Sequence, residues 1–207
     1  MKSRIGCALL AAGGSRRLGF PKQLVHWEGL PLVRRAAECG LGSHCAETLV
    51  VLGAHAVRVR EALGELPVTL RENQGWREGL ASSVRTAALW AIERKLDGLL
   101  LTLCDQPGLT SNHLDTLLFM HRRTGMVVAS HYGGRSAVPA LFPAAQLRSL
   151  LKLRGDRGAR ELLRAHRPLA LVPWPEGELD VDTQSELQRL LGPARVRDGC
   201  QQREEAS

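Results

Sequence analysis

The chain has 207 residues, 44% of them hydrophobic, and a formal charge of +7. That length and composition suit one domain with a full core, so no disulfide scaffold is needed. Scattered arginines, 4% aromatic content and the lack of any helix-turn-helix, RRM or zinc-finger pattern exclude a dedicated DNA or RNA binder. The positive field suits small phosphorylated molecules instead. Five cysteines, an odd number with no CxxC pair, make neither a disulfide framework nor a zinc site and fit a reducing cytoplasm. Cys7, Cys39, Cys45 and Cys104 read as small core residues. No apolar run approaches the ~18 residues of a membrane span. Two glycines and two arginines stand where a signal peptide would be cleaved, so the apolar start is read as a strand.

In chain order, strands are expected at 5–11, 48–53, 67–71, 98–104, 126–130, 137–142 and 169–172. Most are continuous apolar runs, the mark of strands covered on both faces. Helical periodicity falls between them, at roughly 29–40, 54–63, 79–92, 111–123, 144–151, 156–166 and 184–191. In the third, Leu80, Val84, Ala87, Ala88 and Ala91 line one side, with Arg85, Glu93 and Arg94 turned outward. This alternation predicts an α/β fold, a mostly parallel twisted sheet with helices on both faces. A single domain over 1–192 is expected, with a polar tail at 193–207. Ligands of such sheets bind beyond the carboxyl ends of the strands, at a topological switch point.

The first such exit is "LLAAGGSRRLGFPKQL", Leu9 to Leu24. It matches neither GxxxxGK[ST] nor GxGxxG. Its physical content points to phosphate all the same. Gly13 and Gly14 allow a tight turn that presents backbone N–H groups to an anion, and Arg16, Arg17 and Lys22 supply charge for a triphosphate. Pro21 fixes the backbone before Lys22. The alternative is an ordinary βα turn with solvated arginines. A second exit, "LLLTLCDQPGL", places Asp105 directly after an apolar strand, either as a cap or as a metal ligand. "GELDVDTQSEL" adds Asp180 and Asp182, two residues apart and therefore on one side of an extended segment. Mg²⁺ takes one or two carboxylates plus substrate phosphates, which Asp105 with Asp180 or Asp182 satisfies. Asp182 also suits a helix cap, so Asp180 is favoured. Ser82 and Ser83, near a helix start, read as caps. "GDRGAR", Gly155 to Arg160, serves equally as a helix stop with an N-cap. His26, His44, His55, His113, His121, His131 and His166 show no ligand spacing and are expected at the surface or in support.

"LAAGGSRRLGFPKQ" resembles the signature of the MobA-like NTP transferases, above all the branch that cytidylylates the molybdenum cofactor. "CDQP" resembles that family's D-Q-P metal motif and "DVDTQSEL" its late acidic segment, with Gln184 where proline is usual. "NQGWREGLASSV" resembles a segment that borders the nucleotide base, and "GDRGAR" one on the acceptor side. Ala137 and Val138 replace a glycine usual just before the acceptor-side Pro139. The resemblance implies a Rossmann-like nucleotidyltransferase fold that moves CMP from CTP to the terminal phosphate of molybdopterin. Leu10, Ala11 and Ala12 then begin the base pocket, and Gly13, Gly14, Ser15, Arg16 and Arg17 wrap the triphosphate with Lys22. Gly79, Ser82 and Ser83 join the nucleotide site, with Trp76 as packing. Arg16, Lys22 and Asp105 form the catalytic set, with Mg²⁺ on Asp105 and Asp180 or Asp182. Gly155, Asp156 and Arg160 face the acceptor. Partners are CTP or another NTP, molybdopterin, and a receiving molybdoenzyme or its chaperone, all cytoplasmic; no nucleic acid or membrane is expected. Rival readings are use of GTP, a sugar- or alcohol-phosphate acceptor, and a non-catalytic molybdenum-cofactor chaperone. The "LAAG" form, through Ala12, favours CTP over GTP.

Overall fold

A computed structural model describes residues 3–15, 18–156, 163–164 and 168–179. Nine strands and five α-helices are found among them. The main sheet contains β1 (Ile5–Leu10), β4 (Glu47–Leu52), β5 (Thr69–Glu72), β6 (Gly98–Leu103), β7 (Val127–Tyr132), β8 (Arg135–Pro143) and β9 (Leu169–Pro173). Its order is β5-β4-β1-β6-β8-β7-β9, and only β8 runs against the others. The expected apolar runs thus become strands with their edges moved by a few residues. β8 is longer than expected because the Gly133–Gly134 turn, with φ of 53° and 67°, folds it back onto β7 as a hairpin. A small hairpin, β2 (His26–Trp27) with β3 (Leu30–Pro31), was not anticipated, being too short for any periodicity.

β1 explains why the apolar runs are continuous. Ile5, Cys7, Leu9 and Ala11 pack beneath α1 (Leu32–Gly42), α2 (Ala56–Leu63) and α4 (Ser111–Thr124). Ala8, Leu10 and Ala12 pack on the opposite side with α3 (Leu80–Glu93) and α5 (Ala144–Leu150). Both faces are therefore dry, and truncating a residue such as Leu9 to alanine should cost about 2–5 kcal/mol. Along α3 the expected stripe holds at Val84, Ala87, Ala88 and Ala91. Leu80, however, is exposed, because it opens the helix beyond the sheet edge. The expected helices over 156–166 and 184–191, and the tail from 193, lie largely or wholly outside the described residues. Among the described residues no helix is long and apolar enough to cross a membrane.

The chain leaves β1 toward β4 and β5, then crosses back to β6 on the other flank of β1. The switch point is therefore between β1 and β6. Their register pairs Leu10 with Leu103, which brings the segment after Leu10 beside Cys104 and Asp105. Sequence and topology agree on where a ligand belongs.

Candidate active site

The β1 exit is shaped by small residues in contact. Ala11 N donates to Val51 O at 3.0 Å and Ala54 N to Ala12 O at 3.1 Å, carrying the strand pairing past its last ladder rung. A Cβ on Gly53 would stand 2.6 Å from that of Ala12, so the Ala12 methyl lies against the β4 exit.

The glycines work differently from expectation. Positive φ falls on Ser15, at 50°, and Gly19, at 80°, not on Gly13 or Gly14. Gly14 is small because the Trp76 ring packs over it, 3.2 Å from where its Cβ would be. Arg77 in turn stacks on Trp76, with its guanidinium 4.5 Å from the ring centroid. No described residue lies within 4 Å of where a Cβ on Gly13 would go, so none of them demands glycine there. Gln23, fully buried, donates to Ala11 O at 2.9 Å and Gly13 O at 2.7 Å. Ser15 Oγ accepts from Lys22 N at 2.9 Å. Sequence reading gave Gln23 no role. A polar side chain in the short turn (Lys22–Leu24) between Pro21 and apolar Leu24 and Val25 was the available signal.

Lys22 reaches across the switch point and forms an ion pair with Asp105 Oδ2. Asp105 is buried, and its other oxygen has no hydrogen-bond partner among the described residues. A buried carboxylate oxygen without a donor fits a hard divalent cation such as Mg²⁺. Among the described residues no group of three or more carboxylates, histidines or cysteines is placed to hold a metal ion. Asp180 and Asp182, and with them Arg16, Arg17 and Arg160, lie outside the described residues.

Next to Asp105, Gln106 donates to Tyr132 Oη at 2.9 Å and to Val138 O at 3.2 Å, tying the β6 exit to the β7–β8 hairpin. Trp174 stands edge-on to Tyr132 and stacks on His113. His113 is buried, not at the surface. Its Nε2 lies 2.7 Å from Ser130 Oγ, which donates to Pro139 O at 2.8 Å, so Nε2 carries the proton. Burial pushes its pKa down to about 4, against a smaller opposing pull from Glu176. His121 is buried as well, 2.8 Å through Nδ1 from Met126 O.

On the far side of β4, Asn73 donates to Ser82 Oγ at 2.7 Å and Ser83 Oγ at 3.0 Å, and Ser82 donates to Gly79 O at 2.8 Å. Both hydroxyls are thus engaged internally. Gly79, at φ 115°, meets Gly155 and Asp156: a Cβ there would lie 2.3 Å from Asp156 Oδ1. Ala81 N donates to Gly155 O at 3.1 Å. The Gly155–Asp156 segment is therefore docked on the start of α3.

The structure is thus an α/β protein in which the exit loop of one strand and a buried carboxylate at the exit of the next meet at the switch point. Comparison with known sequences makes this specific. The chain belongs to the MobA-like NTP transferase domain family, which matches residues 7–169. It is 34% identical over 196 residues to nicotine blue oxidoreductase of Paenarthrobacter nicotinovorans, covering 88% of this chain and 94% of that protein. It is 30% identical over 193 residues to the purine catabolism protein PucB of Bacillus subtilis (strain 168), covering 86% and 91%. Among solved structures it resembles Rv0371c of Mycobacterium tuberculosis H37Rv, at 27% identity and a TM-score of 0.79 over 92% of this chain and 99% of that one. A manganese complex of Rv0371c matches at 25% identity, a TM-score of 0.77 and the same coverage of both chains.

Proposed function

We propose that the chain transfers CMP from CTP to the terminal phosphate of molybdopterin, releasing pyrophosphate, in the cytoplasm and with Mg²⁺. The observation that carries this reading is the Lys22–Asp105 pair beside the β1 exit loop, with one Asp105 oxygen left without a donor among the described residues. A cation for phosphate and a carboxylate for metal then share one crevice within a family of NTP transferases. A terminal phosphate oxygen of the acceptor attacks the α-phosphorus. The new P–O bond forms as the bond to the β-phosphate oxygen breaks, and the electron pair leaves with pyrophosphate. The attacking group is already an anion, so no general base is needed. Protein catalysis of such a step is positioning and charge neutralisation. Lys22, with Arg16 and Arg17, takes up charge on the leaving pyrophosphate, and backbone N–H groups of Gly13, Gly14 and Ser15 hold the phosphates. Asp105, with Asp180 or Asp182, would hold Mg²⁺, which supplies electrostatic stabilisation of the phosphates. The manganese complex of Rv0371c supports a divalent ion here. Gly155, Asp156 and Arg160 belong to the acceptor side, where docking on α3 joins them to the nucleotide side.

The test is pyrophosphate release with molybdenum cofactor and Mg²⁺, comparing CTP, GTP and ATP. CTP-dependent release is expected. Release with GTP alone would overturn the nucleotide assignment, and release with none would overturn the transfer. The name of the 34% identical relative favours a second reading, an oxidoreductase. Consumption of NAD(P)H with a dye substrate, in the absence of any NTP, would carry that reading instead.

A further inference from the structure

We propose that Gln23 is the positioning residue that makes the β1 exit loop a surface of hydrogen-bond donors, and that the group it serves is a polyphosphate. The inference deepens the nucleotide reading above and rests on it. An anion-binding loop has a difficulty that glycines do not solve. Each peptide brings a carbonyl oxygen as well as an N–H, and an oxygen facing a phosphate repels it. Here three successive carbonyls are occupied elsewhere. Ala11 O and Gly13 O accept the two N–H bonds of the Gln23 amide, and Ala12 O accepts from Ala54 N. The N–H groups of Gly13, Gly14 and Ser15 have no partner among the described residues. Ser15 O is taken up in turn by Leu18 N and Gly19 N, so four of the loop's carbonyls face protein donors while three N–H groups are left over among the described residues.

Only a side chain with two donors on one atom, long enough to span both carbonyls, performs this sorting. Glutamate would set a negative oxygen against two buried carbonyls. Methionine fills the space without a donor, and asparagine is one methylene short. The same residue fixes its neighbourhood. Ser15 Oγ donates to Gln23 Oε1 at 3.4 Å and accepts from Lys22 N, so the amide, the left-handed Ser15 and the start of the Lys22 turn form one unit. Gln23 itself is fully buried and touches no ligand, which makes it a positioning residue.

The experiment measures binding of inorganic tripolyphosphate and of CTP to the wild-type chain and to Gln23→Met and Gln23→Glu. Gln23→Met should weaken both by about tenfold or more, the scale of two lost hydrogen bonds, and raise KM for the nucleotide while leaving KM for the acceptor unchanged. Gln23→Glu should bind most weakly at pH 8 and regain part of its affinity toward pH 5.5, where a protonated carboxyl donates one bond. A side chain that merely filled space would show neither the split nor the pH-dependent recovery. Folded variants with wild-type tripolyphosphate affinity would overturn the proposal. Should the variants not fold, wild-type amide resonances decide: those of Gly13, Gly14 and Ser15 must move when tripolyphosphate is added, and shifts confined to other residues would overturn it. A wild-type chain that binds neither tripolyphosphate nor CTP would instead overturn the nucleotide reading itself.

Discussion

The two strand exits that meet at the switch point are each held by a buried glutamine, yet in opposite senses. After β1, Gln23 lies downstream of its loop and turns its amide inward on that loop's own carbonyls. After β6, Gln106 lies within its loop and reaches outward, to Tyr132 and Val138 of the hairpin. Among the described residues, N–H groups are left over beside the first glutamine, and a carboxylate oxygen, on Asp105, beside the second.

Four changes would break or sharpen that contrast. Asp105→Asn should cost the most, on the order of 10²–10³-fold in turnover, because a charge matched to metal and phosphate is removed while the shape stays. Pyrophosphate release alongside a thermal melt checks it, and near-normal turnover would remove Asp105 from the mechanism. Gly13→Ala comes next. With open space around its Cβ and no positive φ, the protein should keep its melting temperature while KM for the nucleotide rises about tenfold, the new methyl meeting only the ligand. A fall in melting temperature with unchanged KM would show the space to be unused. Gln106→Leu should lower stability by about 1–2 kcal/mol through its two lost hydrogen bonds, with nucleotide affinity intact, as chemical denaturation and titration would show.

The mildest effect concerns pH. Folded His113 stays neutral down to about 4, whereas the unfolded imidazole takes its proton near 6.5. Between those values the unfolded chain binds more protons, so stability is full above 6.5, declines as pH falls toward 4, and levels off below. His113→Phe, which keeps the stack on Trp174, should flatten the melting temperature over that window. An unchanged slope would assign the acid sensitivity to other groups.

Much of this was legible in the residues themselves. Seven expected runs became seven strands; the inner ones were the plainest, because strands buried on both faces admit no polar alternation, whereas the edge strands β5 and β9 are partly exposed. Asp105 was legible because a charge directly after such a run has little structural reason to be there, and Lys22 because it follows a glycine turn and a proline in a basic loop. What escaped notice was contact made only by folding. Gln23 meets Ala11 and Gly13 across a loop, and no periodicity records a bond between a side chain and a backbone oxygen ten or twelve residues away. The burial of His113 escaped for a like reason, since its partner Ser130 and its stacking neighbour Trp174 lie on separate strands and turns. The glycine pair was read as the source of the tight turn, whereas the left-handed residues of the loop are Ser15 and Gly19.

The contact between Ala12 and Gly53 bears on how such proteins diverge. A side chain on Gly53 would collide with the Ala12 backbone oxygen, at 2.5 Å, as well as with its methyl. Residue 53 must therefore remain glycine whatever stands at 12, while residue 12 is free to lose its methyl without a compensating change. Exchange between the alanine and glycine forms of this loop is a single-codon path with no second-site toll, open in both directions.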